Sequence, residues 1–258
     1  MILTGDYHTH TKYSHGKGTV LENALTAKNK GLKEIAISDH GFSHPVFGLS
    51  KRKLKDLKKD CERATAETGV RVLTGIESNF ISFSGKVDLP VDLYDCFDVF
   101  LAGLHKFVLF DFKTLFSTSI SNLILSKLKV KKAPKGLVER NTKMHINVIK
   151  NNPVDIITHL NYCSFVDVGE VAKAASDYGT YIELNAKKTH MTDNEINAVL
   201  KTNARFVISS DAHSPNRVGE ISLVEKMLQK LEFPLDRIDN INGRTPNFRF
   251  RNFKEKSL

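Results

Sequence analysis

His8, His10, His15, His40, His105, His159 and His213, together with Glu77 and Asp211, fall at or just beyond the ends of hydrophobic, strand-like runs spread through the 258 residues. Imidazoles and carboxylates gathered from so many strand ends would form a costly polar cluster, and divalent metals are the usual compensation. The pattern therefore predicts a multinuclear metal site. His8 and His10 lie two apart, so on an extended chain they share a face and can reach one ion. Asp211 and His213 repeat that spacing after the last run, which suits a carboxylate and an imidazole serving adjacent metals. His15 sits in a loop whose Gly16 and Gly18 let the chain bend back. His44, His145 and His190 occupy no such position and are expected at the surface or in supporting roles. Asp6 and Asp39, beside ligand candidates, could orient imidazole N–H groups, with capping of the following turn as the alternative for Asp39.

The elements that must position these residues follow from hydrophobic periodicity. Apolar runs over 2–7, 34–38, 70–76, 99–104, 154–158, 181–184 and 206–210 read as strands. Helical periods lie between them over 19–30, 51–68, 138–150, 169–178, 193–202 and 219–231. Gly31, Gly69 and Gly179 are placed to end the first, second and fourth, and Thr192 or Asp193 to cap the fifth. Strands alternating with helices predict a parallel sheet with right-handed connections, closed or nearly closed into an α/β barrel. In such a barrel the residues beyond the carboxyl ends of the strands face one mouth. Ligand candidates scattered over the whole sequence would then converge there.

A hydrophobic content of 41% supports one large core, and the chain reads as a single domain over 1–258. No signal peptide is recognised at its start, no apolar run is long enough for a bilayer, and Cys61, Cys96 and Cys163 form no paired motif. A reducing cytoplasm is expected. The net charge of +9 favours anionic partners, whether phosphorylated metabolites, nucleic acid or acidic surfaces. The strand–helix rhythm breaks over 106–135, an insertion carrying Phe107, Phe110, Phe112, Phe116, an apolar helix-like stretch over 120–128, and then Lys129, Lys131, Lys132 and Lys135. It leaves the mouth directly after His105, so a lid, an oligomer contact or an extra helix on the barrel wall are the alternatives. The segment 233–258 is basic, and the spacing of Phe248, Phe250 and Phe253 admits a short edge strand. A solvated basic tail is the simpler expectation. For substrate phosphate, Arg217 and Lys106 lie near the mouth by sequence, with Arg217 preferred because its planar guanidinium suits bidentate contact and a solvated surface role as its alternative. Asn185, Lys187 and Lys188 are further candidates.

Taken together, Asp6-Tyr7-His8-Thr9-His10-Thr11 with Ser14-His15-Gly16, Ser38-Asp39-His40-Gly41, Gly75-Ile76-Glu77, Gly103-Leu104-His105, Ile157-Thr158-His159 and Ser210-Asp211-Ala212-His213 resemble the motifs of the polymerase and histidinol phosphatase (PHP) family over residues 2 to about 219. The resemblance implies a distorted seven-stranded (β/α)7 TIM-like barrel and phosphoester hydrolysis at a trinuclear site holding two to three divalent ions, Zn, Mn or Fe. It implies that His8, His10, Glu77 and Asp211 hold one metal, that Glu77 bridges to a second held with His105 and His159, and that His15, His40 and His213 hold a third. Glu77 and Asp211 would be the carboxylates closest to the chemistry. Histidine at position 15, where many members carry aspartate, is similar to the stand-alone bacterial phosphatases. The histidinol phosphatase branch usually carries a Cys-Pro-His-Gly loop where this chain reads Tyr13-Ser14-His15-Gly16, which points away from histidinol phosphate as substrate.

The physics runs the same way. A zinc-type ion lowers the pKa of bound water from 15.7 to about 7, so a metal-bridging hydroxide can attack without a protein nucleophile. Several divalent ions against two carboxylates leave the pocket cationic, which favours phosphoesters over amides. The expectation is a soluble metal-dependent phosphatase for a small phosphomonoester, as a monomer or a homo-oligomer and without membrane association. The alternatives are a PHP-type nuclease or phosphodiesterase acting on nucleic acid, and a non-catalytic, metal-stabilised binding or regulatory domain.

Overall fold

Apolar strands that must bury both faces, joined by amphipathic helices, give a sheet of seven parallel strands in sequential order in the computed structural model, which describes residues 1–106, 108–115, 120–127 and 133–257. In chain order the elements are β1 (Gly5–Thr9), α1 (Val20–Asn29), β2 (Glu34–Ile37), α2 (Leu54–Thr68), β3 (Arg71–Asn79), β4 (Val99–Gly103), α3 (Phe112–Thr114), α4 (Ile120–Lys127), α5 (Lys135–Asn151), β5 (Ile156–Ile157), α6 (Val168–Tyr178), β6 (Tyr181–Asn185), α7 (Asp193–Leu200), β7 (Phe206–Ser209), α8 (Ser222–Lys230) and α9 (Arg249–Ser257). The sheet all but closes on itself. The backbone N–H of His10 donates to Ala212 O at 2.8 Å, and that of Ala212 to His8 O at 3.3 Å, just beyond the end of β7. The predicted distorted barrel is therefore the observed fold.

Helix boundaries follow their caps. Thr19 and Thr192 form capping boxes with Glu22 and Glu195, while Gly69 and Gly179 end α2 and α6 in the left-handed conformation. Predicted and observed helices differ mainly at their starts: α8 begins at Ser222 because Gly219, at φ +66°, is a turn residue.

Alternating strand residues divide between two apolar layers. Ile35, Ile37, Ile76, Phe100, Ile157, Ile182, Phe206 and Ile208 pack outward in the large core shared with the helices. Tyr7, Ala36, Leu73, Val99, Leu101, Ile156, Tyr181 and Val207 fill the barrel interior. One irregularity matters for the site. Between the pairs Asp6–Ile35 and Thr9–Ile37, two residues of β1 oppose the single Ala36 of β2. This bulge turns both Tyr7 and His8 inward, so that Tyr7 fills the barrel while His8 faces the mouth.

The C-terminal segment is neither a solvated tail nor an edge strand. Asn240 is fully buried, and its side-chain amide donates to Gly5 O at 2.8 Å and Ile208 O at 2.6 Å, stitching β1 to β7. Phe248 then packs edge-on against Tyr7 at 4.9 Å, and Phe250 in α9 is fully buried against Tyr94 and Phe100 at 5.0 and 5.4 Å. Apolar rings among the basic residues overrode the charge pattern, because the barrel's lower end needed covering. In the 106–135 insertion, Asn122 and Asn141 exchange amide hydrogen bonds at 3.0 Å, tying α4 to α5 on the barrel wall. Phe107, Phe116, Leu128, Lys129, Lys131 and Lys132 lie outside the described residues. Among the described residues, no helix is long and apolar enough to cross a membrane.

Candidate metal centre

The nine residues singled out by strand-end position meet at the carboxyl ends of the strands. Glu77, with no solvent exposure, lies at the middle because Leu73 and Glu77 fall on the same inward face of β3. Its Oε1 is 2.9 Å from His159 Nε2, 3.1 Å from His105 Nε2 and 3.2 Å from His8 Nε2. Its Oε2 is 2.9 Å from His40 Nδ1 and 3.7 Å from His10 Nε2. Asp211 forms a second focus, 3.2 Å from His213 Nδ1, 3.5 Å from His10 Nε2 and 3.9 Å from His8 Nε2. The ring of His15 lies 4.8 Å from that of His40 and 4.4 Å from that of His213. His159 and Asp211 both adopt positive φ, +29° and +49°, an uncommon conformation for residues with side chains and one that clusters at functional sites.

Ligand atoms gather within 4.8 Å of one another in three sets: His8, His10 and Asp211; His40, Glu77 and His105; and His10, His40 and His213. The donors fit divalent ions. Buried His8 Nε2, both nitrogens of His10, His15 Nδ1, His40 Nδ1, Glu77 Oε2, His105 Nδ1 and His159 Nδ1 make no hydrogen bond of sound geometry. So many unpaired buried polar atoms are destabilising, by roughly 1–3 kcal/mol each, unless something else binds them. Imidazole with carboxylate suits Zn, Mn or Fe. Protonation states of Glu77, Asp211, His15 and His40 agree with a ligand set, whereas His8, which burial lowers, is raised well above the ordinary imidazole value by Glu77, Glu183 and Asp211, so that a metal there would displace a proton. Burial pushes Glu77 and Asp211 upward, yet the imidazoles around them, His8 foremost for Asp211 and His105 for Glu77, hold both well below the usual carboxylate range. Burial lowers His15 to about 3 and His40 to about 4, aided in His15 by His40 and opposed in His40 by Glu77. Those two rings are neutral and able to donate a lone pair.

The sequence model of the PHP domain matches residues 6–187, well over half of the chain. This chain belongs to the PHP domain family. The candidate ligands that follow β7, Asp211 and His213, lie beyond the matched segment and are brought to it by barrel closure. The PHP chain is 31% identical over 254 residues to a probable phosphatase of Caldanaerobacter subterraneus subsp. tengcongensis, covering 92% of this chain and 87% of the relative. It is 32% identical over 256 residues to a probable phosphatase of Thermoanaerobacter sp., covering 93% and 91%. In fold it is similar to the histidinol phosphate phosphatase of Lactococcus lactis subsp. lactis, solved with Zn, L-histidinol and phosphate, at a TM-score of 0.61 and 14% identity over 91% of this chain and 95% of that one.

Around the PHP centre, the supporting residues differ from those expected. Asp6 accepts from Ser210 N, Ser210 Oγ and Gly219 N at 3.1, 2.5 and 2.8 Å, and Asp39 from Thr11 N, Thr11 Oγ1 and Ser14 Oγ at 2.8, 2.6 and 2.5 Å. Neither bonds an imidazole among the described residues; the β1 bulge leaves Asp6 on the outward face, paired with Ile35. They fix loops instead. The carboxylate that orients imidazole is Glu183, which the sequence reading passed over as part of a strand. Fully inward in β6, Glu183 accepts from His8 Nδ1 at 2.7 Å through Oε1, and from the His159 backbone N–H at 2.6 Å through Oε2. Its signal was an acid inside an otherwise apolar run, two residues before Asn185, whose amide bonds both Glu183 and Asp211.

Above the cluster opens a cavity of about 430 Å³, of metabolite size. Its walls include Lys106, Lys187, Lys188, Phe47, Tyr162, His44 and His190. Arg217 is absent from them: the 3-10 turn Pro215–Arg217 carries it onto the exposed surface, so the arginine preferred from sequence gives way to lysines. Of the two further histidines on the wall, His44 stacks over His40 at 6.3 Å and His190 lies 6.1 Å from His159. His145 is a core residue, donating from Nδ1 to Asn141 O at 2.8 Å. Among the described residues of the 106–135 insertion, only Lys106 lines this cavity.

Proposed function

We propose that this PHP chain is a metal-dependent phosphatase acting on a small phosphomonoester. The observation that carries the proposal is the convergence of seven histidines, Glu77 and Asp211, with buried atoms of His8, His10, His15, His40 and Glu77 unpaired, beneath a metabolite-sized cavity walled by lysines. In this reading His8, His10, Glu77 and Asp211 hold one ion, Glu77, His105 and His159 a second, and His15, His40 and His213 a third. When bound, such ions supply a hydroxide nucleophile at neutral pH and positive charge for the phosphoryl oxygens. The chain's own residues do the rest. Glu77 places one carboxylate within reach of five imidazoles, so its charge sets the spacing of the ligands. Glu183 holds His8 with Nδ1 protonated, leaving Nε2 free to coordinate. Lys187, whose ammonium lies 3.3 Å from Asp211 Oδ1 and 3.1 Å from His213 Nδ1, sits where a phosphate oxygen would approach. The relatives named probable phosphatases agree with this reading.

The experiment is hydrolysis of 4-nitrophenyl phosphate by chelator-stripped protein reloaded with Mn or Zn, beside a single-stranded oligonucleotide. Metal-restored cleavage of the aryl phosphate alone is expected, with two to three ions per chain by elemental analysis. Cleavage of the oligonucleotide alone would make the protein a nuclease. Turnover of neither across all metals would leave a binding domain and refute the proposal.

A further inference from the structure

Resting on the phosphatase reading, the charges on the cavity wall narrow the substrate class. Among the described residues, the carboxylates lining the cavity are Glu77 and Asp211, and both are already within ion-pair distance of several histidines. Against them stand three lysines. Lys187 is engaged with Asp211, whereas Lys106 and Lys188 make no ion pair among the described residues. These two leave β4 and β6, the neighbours of β5, so they flank the loop that carries Tyr162. The Lys106 ammonium lies 5.7 Å from the centre of the Tyr162 ring, and that ring is 4.9 Å from His159. Both lysines line the same cavity as Tyr162.

We propose that Lys106 and Lys188 form an anion subsite one aromatic ring away from the metal-ligand cluster, so that the substrate carries a second anionic group besides the reacting phosphate. The body between the two anions lies against Tyr162. An ammonium-bearing body is disfavoured, because the described residues of the wall offer it no uncommitted carboxylate and three like charges. A carboxylate and a second phosphate share the recognising chemistry, two lysine ammoniums, one half-buried at Lys106 and one exposed at Lys188.

The test compares kcat/KM of the Mn-loaded enzyme on matched probes. Glycerol 3-phosphate is set against 3-phosphoglycerate for a carboxylate, fructose 6-phosphate against fructose 1,6-bisphosphate for a second phosphate, and O-phosphoethanolamine supplies the amine. At least one second-anion probe should exceed its partner, and which pair separates identifies the anion. In the Lys106→Ala/Lys188→Ala double variant that ratio should fall about tenfold, mostly through KM, the low end for hydrogen bonds to charged groups once solvent screening is allowed for. Lys188→Glu should raise O-phosphoethanolamine relative to 3-phosphoglycerate, a gain that a merely damaged site would not produce. Equal preference for both members of each pair in wild type, or ratios untouched by the variants, would overturn the subsite while leaving the phosphatase reading intact. No hydrolysis of any probe or of 4-nitrophenyl phosphate would overturn both.

Discussion

Glu183 is the residue whose replacement tests the centre most sharply, because a carboxylate and an amide of equal size cannot make the same contacts. Glu183 accepts at both oxygens: from His8 Nδ1 at 2.7 Å on one, and from the His159 backbone N–H at 2.6 Å and the Asn185 amide at 3.0 Å on the other. In Glu183→Gln one of those positions becomes an NH2 donor. If the NH2 faces the His159 N–H, two buried donors oppose each other, a loss of about 1–3 kcal/mol. If it faces His8, Nδ1 must accept, the ring proton moves to Nε2, and the nitrogen aimed at Glu77 can no longer coordinate. Either outcome weakens metal binding, and orienting carboxylates of this kind are typically worth 10–100-fold in affinity. Competition with a fluorescent chelator, read beside thermal unfolding of the metal-free protein, should give a loss of about that size. Metal affinity within about threefold of wild type would refute the assignment of Glu183 as the group that holds His8.

Glu77→Gln should lose more than the roughly 100-fold upper end expected of an orienting residue, in both metal retention and 4-nitrophenyl phosphate hydrolysis, with far-UV circular dichroism unchanged; a fully active variant would refute the bridging role. Phe250→Ala should destabilise the protein by about 3–5 kcal/mol in urea unfolding, since the ring is fully buried in the outer core against Tyr94 and Phe100, whereas a solvated tail would show no change. His145, neutral in the fold because burial lowers it to about 4, takes up a proton on unfolding anywhere between that value and 6.5. The unfolded chain therefore binds more protons in this window, and stability falls as pH falls from 6.5 towards 4, by up to about 3 kcal/mol from this ring. His145→Gln, which can still donate to Asn141 O, should lessen that acid loss; equal slopes for the two proteins would contradict it.

Much of the fold was legible because its signals are local. Apolar runs, helical periods and the terminal glycines Gly69 and Gly179 are each decided within a few residues, and the sequential parallel sheet follows from their alternation. The tail was misjudged for a physical reason. Arginines and lysines of α9 dominate its composition, yet Phe250 is drawn into contact with Tyr94 and Phe100, residues about 150 positions earlier. Arg217 falls on its surface alternative, because nearness to His213 in sequence does not say which way a 3-10 turn will carry a side chain.

The inventory of candidate ligands was legible in the sequence alone, since metal chemistry selects residue types and barrel geometry places strand ends at one mouth. Tertiary structure decided how those ligands are held. A bulge in β1 turned His8 inward beside Tyr7 and left Asp6 facing out, transferring the orienting role to Glu183 on a strand some 175 residues away. Which cations line the cavity was likewise settled only when β4, β5 and β6 stood side by side, bringing Lys106, Tyr162 and Lys188 onto one wall. Side-chain direction and cross-strand proximity arise from pleat phase and barrel closure, and neither is written in any single stretch of the chain.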